Sequence, residues 1–507
     1  MHTPPVTVAA ETTLADLAKV LNERQVGAAA VLDANQALIG MISERDVLRA
    51  VGTGTDPATT TVGSLMTKSP VAVDADGTAA SALDIFTTHR FRHLPVVENG
   101  SVVGILSIRH VVRVAHIEEV KPAGSAPQLA PAGLEGVAVA ETSVGDVRGE
   151  EGFFHYRGYD ATELARRCSF EQVWHLLLLG DLPDAGQLAA FKARVAAMRQ
   201  VTPEVDRALE AIAKVPGYTP LRALASAVAV TANAHDMKAT LDIDAQQVQR
   251  DCLVMAAIVP TLLTRLEAYH AGRAPVDADP DLGYAAAYLQ MLTGARPEPV
   301  AARAVEQYLI LTMDHGFNAS TFTGRVITST GSDVGSAIAG AIGALAGPLH
   351  GGAPSRALAM LDAIGTPDKA EAYLRQEIGA GNRLMGFGHR IYKTDDPRST
   401  LLREVAQEMG GETAAFAEQV ESTALRVLHE LKPGRRLYTN VEFYAGVVMN
   451  SAGIPREMFT PTFACSRTVG WTAGIAEQAA NNRIIRPLAL YVGPDAPRPL
   501  PDGYEYA

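Results

Sequence analysis

The stretch LYTNVEFYAGVV, residues 437–448, holds a single acid, Glu442, among apolar or uncharged neighbours. An ionised carboxylate is seldom found in such company unless it is paired or used. Two histidines stand in glycine-rich loops. In LAGPLHGGAPSRALAML, residues 345–361, one helix should stop at Gly347-Pro348 and the next should start near Pro354. His350 then sits between them, where Gly351 and Gly352 let a ligand approach the backbone and a helix N-terminus favours negative charge. In LMGFGHRIYKTDDPRS, residues 384–399, the loop Gly386-Phe387-Gly388 ends at His389. Asp396 reads as a helix N-cap and Pro397 as the first helical residue. Arg398 thus falls in the first turn, where the helix dipole disfavours a cation; it is either solvated there or shares an anion with the helix end. In FTPTFACSRTVGWTAGIAEQ, residues 459–478, the spacing puts Phe463, Arg467, Trp471 and Ile475 on one helical face. An arginine in such a stripe calls for a carboxylate or phosphate partner, an internal salt bridge being the plain alternative. Arg486 follows in RIIRPLALY. Two glycine-set histidines, several buried-looking arginines and one isolated acid suit acid/base chemistry at a carbon centre, with arginines clamping a small polycarboxylate. The chain has no GxxxxGK[ST], HExxH or GxSxG pattern, so phosphoryl-transfer, metal and serine-hydrolase signatures do not compete.

These residues need a large scaffold, and the chain has one. Its 507 residues allow two to four domains, and 47% apolar with 20% charged content is that of a globular protein. A net charge of −12 argues against nucleic acid or an anionic membrane as the main partner. Cys168, Cys252 and Cys465 are few, distant and odd in number, which suits a reducing cytoplasm and neither a disulfide framework nor a zinc site. The start lacks the basic and apolar regions of a secretory signal. The most membrane-like run, SAIAGAIGALAGPL from Ser336, is too short to span and predicts a tightly packed buried helix. A soluble cytoplasmic protein is expected.

An internal repeat organises the N-terminal part. VTVAAETTLADLAKVL from Val6 recurs loosely as VAVDADGTAASALDIF from Val71, and AAAVLDANQALIGMISERDVLRA as RHLPVVENGSVVGILSIRHVVRV. Each copy predicts a strand, an amphipathic helix, two strands joined by a polar turn (Asp33-Ala34-Asn35 and Glu98-Asn99-Gly100), then another helix. Residues 1–117 resemble a tandem pair of CBS domains, the modules named after cystathionine β-synthase, with a strand running into GMISERD. The resemblance implies an adenosine nucleotide in the clefts between copies, with Asp46 on the ribose hydroxyls and Ser43 one helical turn away; Ser107 is its counterpart in the second copy. There GILSIRH has His110 in place of the aspartate, so one good site is expected rather than two. The alternative is that Ser43 and Asp46 only cap a helix. EEVKPAGSAPQLAPAG then reads as a linker, 118–132, and residues 133–507 as a mainly helical domain.

From Gly133 to about Val492 the chain resembles citrate synthase nearly end to end: GLEGVAVAETSVGDV, FHYRGYD, GPLHGGA, MGFGHRIYKTDDPR, NVEFYAG, SRTVGW and NNRIIRP follow in the family's order. The implied fold is an α/β tandem CBS module followed by a mainly α-helical citrate synthase fold with a large and a small domain. The implied reaction condenses acetyl-CoA with oxaloacetate and water to citrate and CoA. By this resemblance His350 stabilises the thioester enol, His389 polarises the oxaloacetate ketone, and Glu442 removes the methyl proton. His315 of MDHGFNAST binds oxaloacetate, and Arg398, Arg467 and Arg486 take its carboxylates, Arg486 reaching over from a partner subunit. Met385, Gly386, Phe387, Gly388 and Lys393 hold coenzyme A. No metal and no tightly bound cofactor is implied; acetyl-CoA is a substrate, and ATP, ADP, AMP or NADH is a candidate effector. A homodimer or higher homo-oligomer is implied as well.

The sequence departs from the family at two places: the base is Glu442 where Asp is usual, and Gly474 stands where His is frequent. The expected function is therefore a citrate synthase regulated at its CBS pair. The alternatives are a 2-methylcitrate synthase using propionyl-CoA and a nucleotide sensor with an inactive synthase domain.

Overall fold

The computed structural model describes residues 5–494 and 498, apart from 25, 79–80, 83–84, 87, 89–92, 99, 108–128, 352, 389–390, 393 and 436, and the side chains of residues 353 and 354. His110, His389, Lys393 and most of the 118–132 linker therefore lie outside the described residues. The chain divides into two compact units, residues 1–129 with 488–507, and residues 130–487.

In the first unit the repeat becomes two small sheets. Strands β1 (Thr7–Ala9), β2 (Ala28–Leu32), β3 (Leu38–Ser43) and β4 (Thr67–Lys68) form one; β5 (Val73–Asp74), β6 (His93–Glu98) and β7 (Ser101–Ser107) form the other. Each has a parallel first pair followed by an antiparallel hairpin. The pairing slips at Val31/Leu32 in the first and at Val96/Val97 in the second, so the copies share even their irregularity. The Asp33 carboxylate builds the first hairpin turn by accepting the N–H groups of Asn35 and Ala37, both at 2.9 Å. Helix α1 (Leu14–Arg24) buries Leu14, Leu17 and Leu21, the spacing expected of one apolar face. Helix α2 (Glu44–Gly52) follows directly on β3. The two copies meet where Ala28, Ala30 and Met41 of one pack against Ile105 of the other.

The second unit is helical, with one small antiparallel sheet among its described residues, of β8 (Gly145–Arg148), β9 (Phe153–Tyr156) and β10 (Tyr159–Asp160). Its core runs along α3 (Ala245–His270), the one described helix long and apolar enough to cross a membrane, which is buried inside the unit instead. Helix α4 (Pro299–Thr312) leads to His315, and α5 (Ala319–Ser329) follows it. The Ala/Gly run forms α6 (Val334–Leu345), buried along Ala337, Ile338, Ala341 and Ile342. A β-carbon on Gly340 would lie 2.2 Å from Cδ1 of Ile327 on α5, so the small residues do set the close helix approach expected of them. Helix α7 (Ala353–Ile364) starts one residue before Pro354. Helices α8 (Pro397–Met409), α9 (Glu412–Leu431) and α10 (Val441–Ser451) carry the later motifs. They are tied through buried Glu421 on α9, whose Oε2 accepts the hydroxyl of Tyr444 on α10 at 2.5 Å and lies 3.4 Å from Arg403 of α8. The last long helix, α11 (Phe459–Ala480), is buried along most of its length and carries Arg467.

Candidate active site

Glu442 stands in the first turn of α10, where the helix dipole favours an acid. The N-cap is Asn440, whose side-chain oxygen accepts the Glu442 N–H at 3.0 Å. The same residue ties down the glycine loop: its N–H donates to the Gly386 carbonyl at 2.9 Å and its Nδ2 to the Gly388 carbonyl at 2.8 Å. The Gly388 N–H returns a bond to the Tyr438 carbonyl at 2.7 Å, so Met385–Gly388 lies antiparallel along the entry to α10, Phe387 bridging Thr439. Gly386 has φ 86°, and a β-carbon there would fall 2.8 Å from that of Phe443; only glycine fits. The acid and the loop, separate features in the sequence, are one construction.

The Glu442 carboxylate is only partly exposed and makes no hydrogen bond among the described residues. Burial pushes its pKa up to about 7, with Arg398 and Arg467 pulling it down and Asp396 pushing it further up. A carboxyl with such a value can take up a proton near neutral pH, which is what a general base needs. The pH dependence follows with its sign. A general base works ionised, so with Glu442 in that role kcat/KM should be level above pH ~8 and fall about tenfold per unit below pH ~6, with an apparent pKa near 7. Initial rates from pH 5 to 9 check this; an acidic limb centred near 4 would assign the titration to another group.

His350 occupies the loop after α6, as expected. Its Nε2 faces the start of α5, where Ser320 offers its backbone N–H at 3.3 Å and its Oγ at 2.8 Å. A backbone N–H can only donate, so Nε2 carries a lone pair and the imidazole proton resides on Nδ1. Ser320 Oγ accepts the Trp471 Nε1–H at 3.2 Å and has one proton for two acceptors, the Asn318 side-chain oxygen at 2.8 Å and His350 Nε2. Burial and the positive charge of Arg467 press the His350 pKa down to about 4, so at neutral pH it is an uncharged donor.

Asp396 caps α8 and Pro397 is its first residue. The Arg398 guanidinium grips Asp396 in two places, Nε to Oδ1 at 3.0 Å and Nη2 to Oδ2 at 2.8 Å, with both side chains buried. The anion shared by this arginine and the helix end thus includes one from the chain itself. Asp396 Oδ2 also accepts the Val441 N–H at 3.1 Å, so one carboxylate joins the starts of α8 and α10. Arg467 is equally buried but less committed. Its Nε donates to the Thr312 carbonyl at 2.8 Å and its guanidinium lies 4.5 Å from the Phe463 ring centre. Its terminal nitrogens have no hydrogen bond or ion pair among the described residues, so the internal salt bridge weighed for it is not found there. Burial pulls its pKa down, opposed by buried Asp314.

His315 is buried, its Nε2 2.9 Å from the Tyr392 hydroxyl and its ring 5.6 Å from that of Phe154. Arg486 lies exposed in the irregular segment after α11; within one chain it has no hydrogen bond or ion pair to these residues among those described. Sequence reasoning passed over Ser320, Asn440, Asp314 and Tyr392. It also missed Tyr308 of α4, a buried phenol that feels the charges of Glu442, Arg467 and Arg398.

In the first unit, Ser43 and Asp46 line a cavity of about 230 Å³ with Met41, Arg49, Thr67 and His93. One oxygen of Asp46 accepts both the N–H and the hydroxyl of Ser43, at 3.0 and 2.7 Å, so the capping role is real. The other oxygen is 3.8 Å from Arg49. Ser107 is not among the lining residues; it pairs with His93 across β6 and β7.

Comparisons with known proteins bear on both units. The family described as "Citrate synthase, C-terminal domain" matches residues 133–488, and the family "CBS domain" matches residues 1–53 and 62–117. The citrate synthase of Acidithiobacillus ferridurans is 37% identical over 381 residues, 74% of this chain and 98% of that protein. Among solved structures, the citrate synthase of Pyrobaculum aerophilum superposes with a TM-score of 0.67 at 36% identity, covering 75% of this chain and 98% of that one. A ternary complex of carboxymethyl coenzyme A and oxaloacetate with the citrate synthase of Thermoplasma acidophilum gives a TM-score of 0.67 at 29% identity, covering 74% and 99%.

Proposed function

The chain belongs to the citrate synthase family and is an acyltransferase, and from that premise we propose that it condenses acetyl-CoA with oxaloacetate, then hydrolyses the citryl thioester to citrate and CoA. The observation that carries the proposal is Arg467. Its terminal nitrogens are uncommitted among the described residues, and its charge is felt by both the neutral imidazole of His350 and the high-pKa carboxyl of Glu442. A carboxylate clamp, a donor and a base with these properties are what enolisation beside a bound dicarboxylate requires.

Glu442 takes a proton from the acetyl methyl group as His350 Nδ1–H donates to the thioester oxygen, where negative charge develops. Such preorganised donors contribute ~3–4 kcal/mol in comparable sites. The enol carbon attacks the ketone carbon of oxaloacetate, and His389 supplies the proton for the resulting alkoxide. Arg398, Arg467, His315 and the partner subunit's Arg486 hold the dicarboxylate, an orientation effect that can reach roughly 7–11 kcal/mol. The Met385–Gly388 loop and Lys393 hold coenzyme A; because Asn440 bonds both this loop and the Glu442 N–H, cofactor-sized substrate and base are positioned together. The chemistry asks for no metal or resident cofactor, since carboxylate, imidazole and guanidinium supply every proton and charge it needs. The enzyme works in the cytoplasm as a homodimer or larger assembly.

The cavity at Ser43 and Asp46 takes an adenine nucleotide that regulates the synthase. Asp46 keeps one oxygen out of its cap for ribose hydroxyls, and Arg45 and Arg49 beside it suit phosphate. Regulation requires that the nucleotide bind two conformations unequally. One experiment tests the whole reading: oxaloacetate-dependent thiol release from acetyl-CoA and propionyl-CoA, with and without ATP, ADP, AMP and NADH. Acetyl-CoA should be preferred by ~10- to 200-fold, the range one methylene commands, and at least one nucleotide should alter the kinetics of the wild type but not of Asp46→Ala. A propionyl-CoA preference would make it a 2-methylcitrate synthase. No turnover from folded protein would leave a sensor, and four inert nucleotides would end the regulatory proposal.

A further inference from the structure

Tyr392 lies in the loop before α8 with its side chain buried. It touches two groups on the oxaloacetate side: its hydroxyl is 2.9 Å from His315 Nε2, and the Arg398 guanidinium carbon lies 5.7 Å from its ring centre. The loop is pinned by the turn between β8 and β9. There a β-carbon on Gly149 would meet the Ile391 carbonyl oxygen at 2.2 Å, and one on Gly152 would meet Thr394 Oγ1 at 2.7 Å. That turn and its strands also bear on His315. Phe154 of β9 packs against its ring, and the Asp314 side chain next to it would be 3.3 Å from a β-carbon on Gly145 of β8. One hairpin therefore holds both partners of the Tyr392–His315 contact.

We infer that Tyr392 is a positioning residue for oxaloacetate: its hydroxyl donates to His315 Nε2, fixing the imidazole's orientation and placing its proton on Nδ1, while its ring supports Arg398. Burial keeps the phenol protonated, and a cation over the ring makes its O–H a stronger donor. A phenol can donate to an imidazole lone pair, and the tautomer of a histidine is set by the bond its other nitrogen makes. The inference rests on the citrate synthase reading, because His315 is taken to face oxaloacetate.

The test is a double-mutant cycle in the full-length enzyme, with Tyr392→Phe, His315→Leu and both together. Tyr392→Phe keeps the ring and removes only the hydroxyl, and thermal melts of each variant confirm folding. Tyr392→Phe should raise KM for oxaloacetate roughly tenfold, in the range for a buried partner left unsatisfied, with KM for acetyl-CoA unchanged and kcat within about threefold. In the His315→Leu background the same substitution should change oxaloacetate KM less than about twofold. Equal effects in both backgrounds, or an unchanged oxaloacetate KM, would overturn the inference. Failure of the underlying reading would look different, because wild type itself would then show no oxaloacetate-dependent turnover.

Discussion

Glu442→Gln should give a folded protein that binds oxaloacetate with near-normal affinity and turns over acetyl-CoA about 10³-fold more slowly. The amide cannot accept a proton, and a positioned general base contributes on the order of 10²–10⁴-fold. The fold should not suffer, because the helix start is built from main-chain bonds: Asn440 accepts the N–H of residue 442 and Asp396 accepts that of Val441. Stability should even rise with the substitution at high pH. The folded-state pKa of Glu442 is raised, so folding favours its neutral form. Whatever that form contributes is present below the unfolded value near 4.5 and lost as pH climbs through about 7. A neutral glutamine removes that loss, and its melting temperature should exceed that of wild type at pH 8 but not at pH 4.5. The same two anchors bear on the departure from the family's aspartate. They hold the backbone where it is, so Glu442→Asp withdraws the carboxylate by a methylene that the helix cannot restore, a displacement of about 1 Å that costs on the order of 100-fold. Near-normal turnover of Glu442→Gln, measured by thiol release, would return this acid to a structural role.

What could be read in the sequence was local. The Asp396-Pro397-Arg398 helix start, the glycine loops around His350 and before His389, and the repeat of the first unit follow from rules that act within a few residues. The lone acid of 437–448 likewise announced itself by its surroundings. What escaped were bonds between segments far apart in sequence. Ser320 and His350 are 30 positions apart, Asp396 and Val441 are 45, Gly388 and Asn440 are 52, and His315 and Tyr392 are 77. No periodicity relates such pairs, since each depends on how whole helices pack. Tyr392 sits in the same motif as Arg398, yet nothing marks a tyrosine as the partner of a histidine on another element. In the first unit the capping pair Ser43 and Asp46 was legible for the same local reason. That His93 rather than Ser107 lines the cavity is a matter of tertiary placement.

His350→Asn should lower kcat by roughly 10²–10³-fold, the loss typical of removing one donor from a developing oxyanion, with oxaloacetate KM changed less than about threefold. His350 is neutral, its pKa pressed to about 4, so any charge it stabilises is met by a hydrogen bond rather than by a cation. The proton it offers is on Nδ1 because Nε2 faces a main-chain N–H. No side-chain substitution at Ser320 removes that N–H. Ser320→Ala deletes only the hydroxyl that Trp471 and Asn318 hold in place, and it should cost less than about tenfold in kcat while His350→Asn costs far more. If the two variants were equally slow, the serine hydroxyl rather than the backbone would be setting the tautomer. If His350→Asn were nearly as fast as wild type, the enolate oxygen would have to find its donor elsewhere.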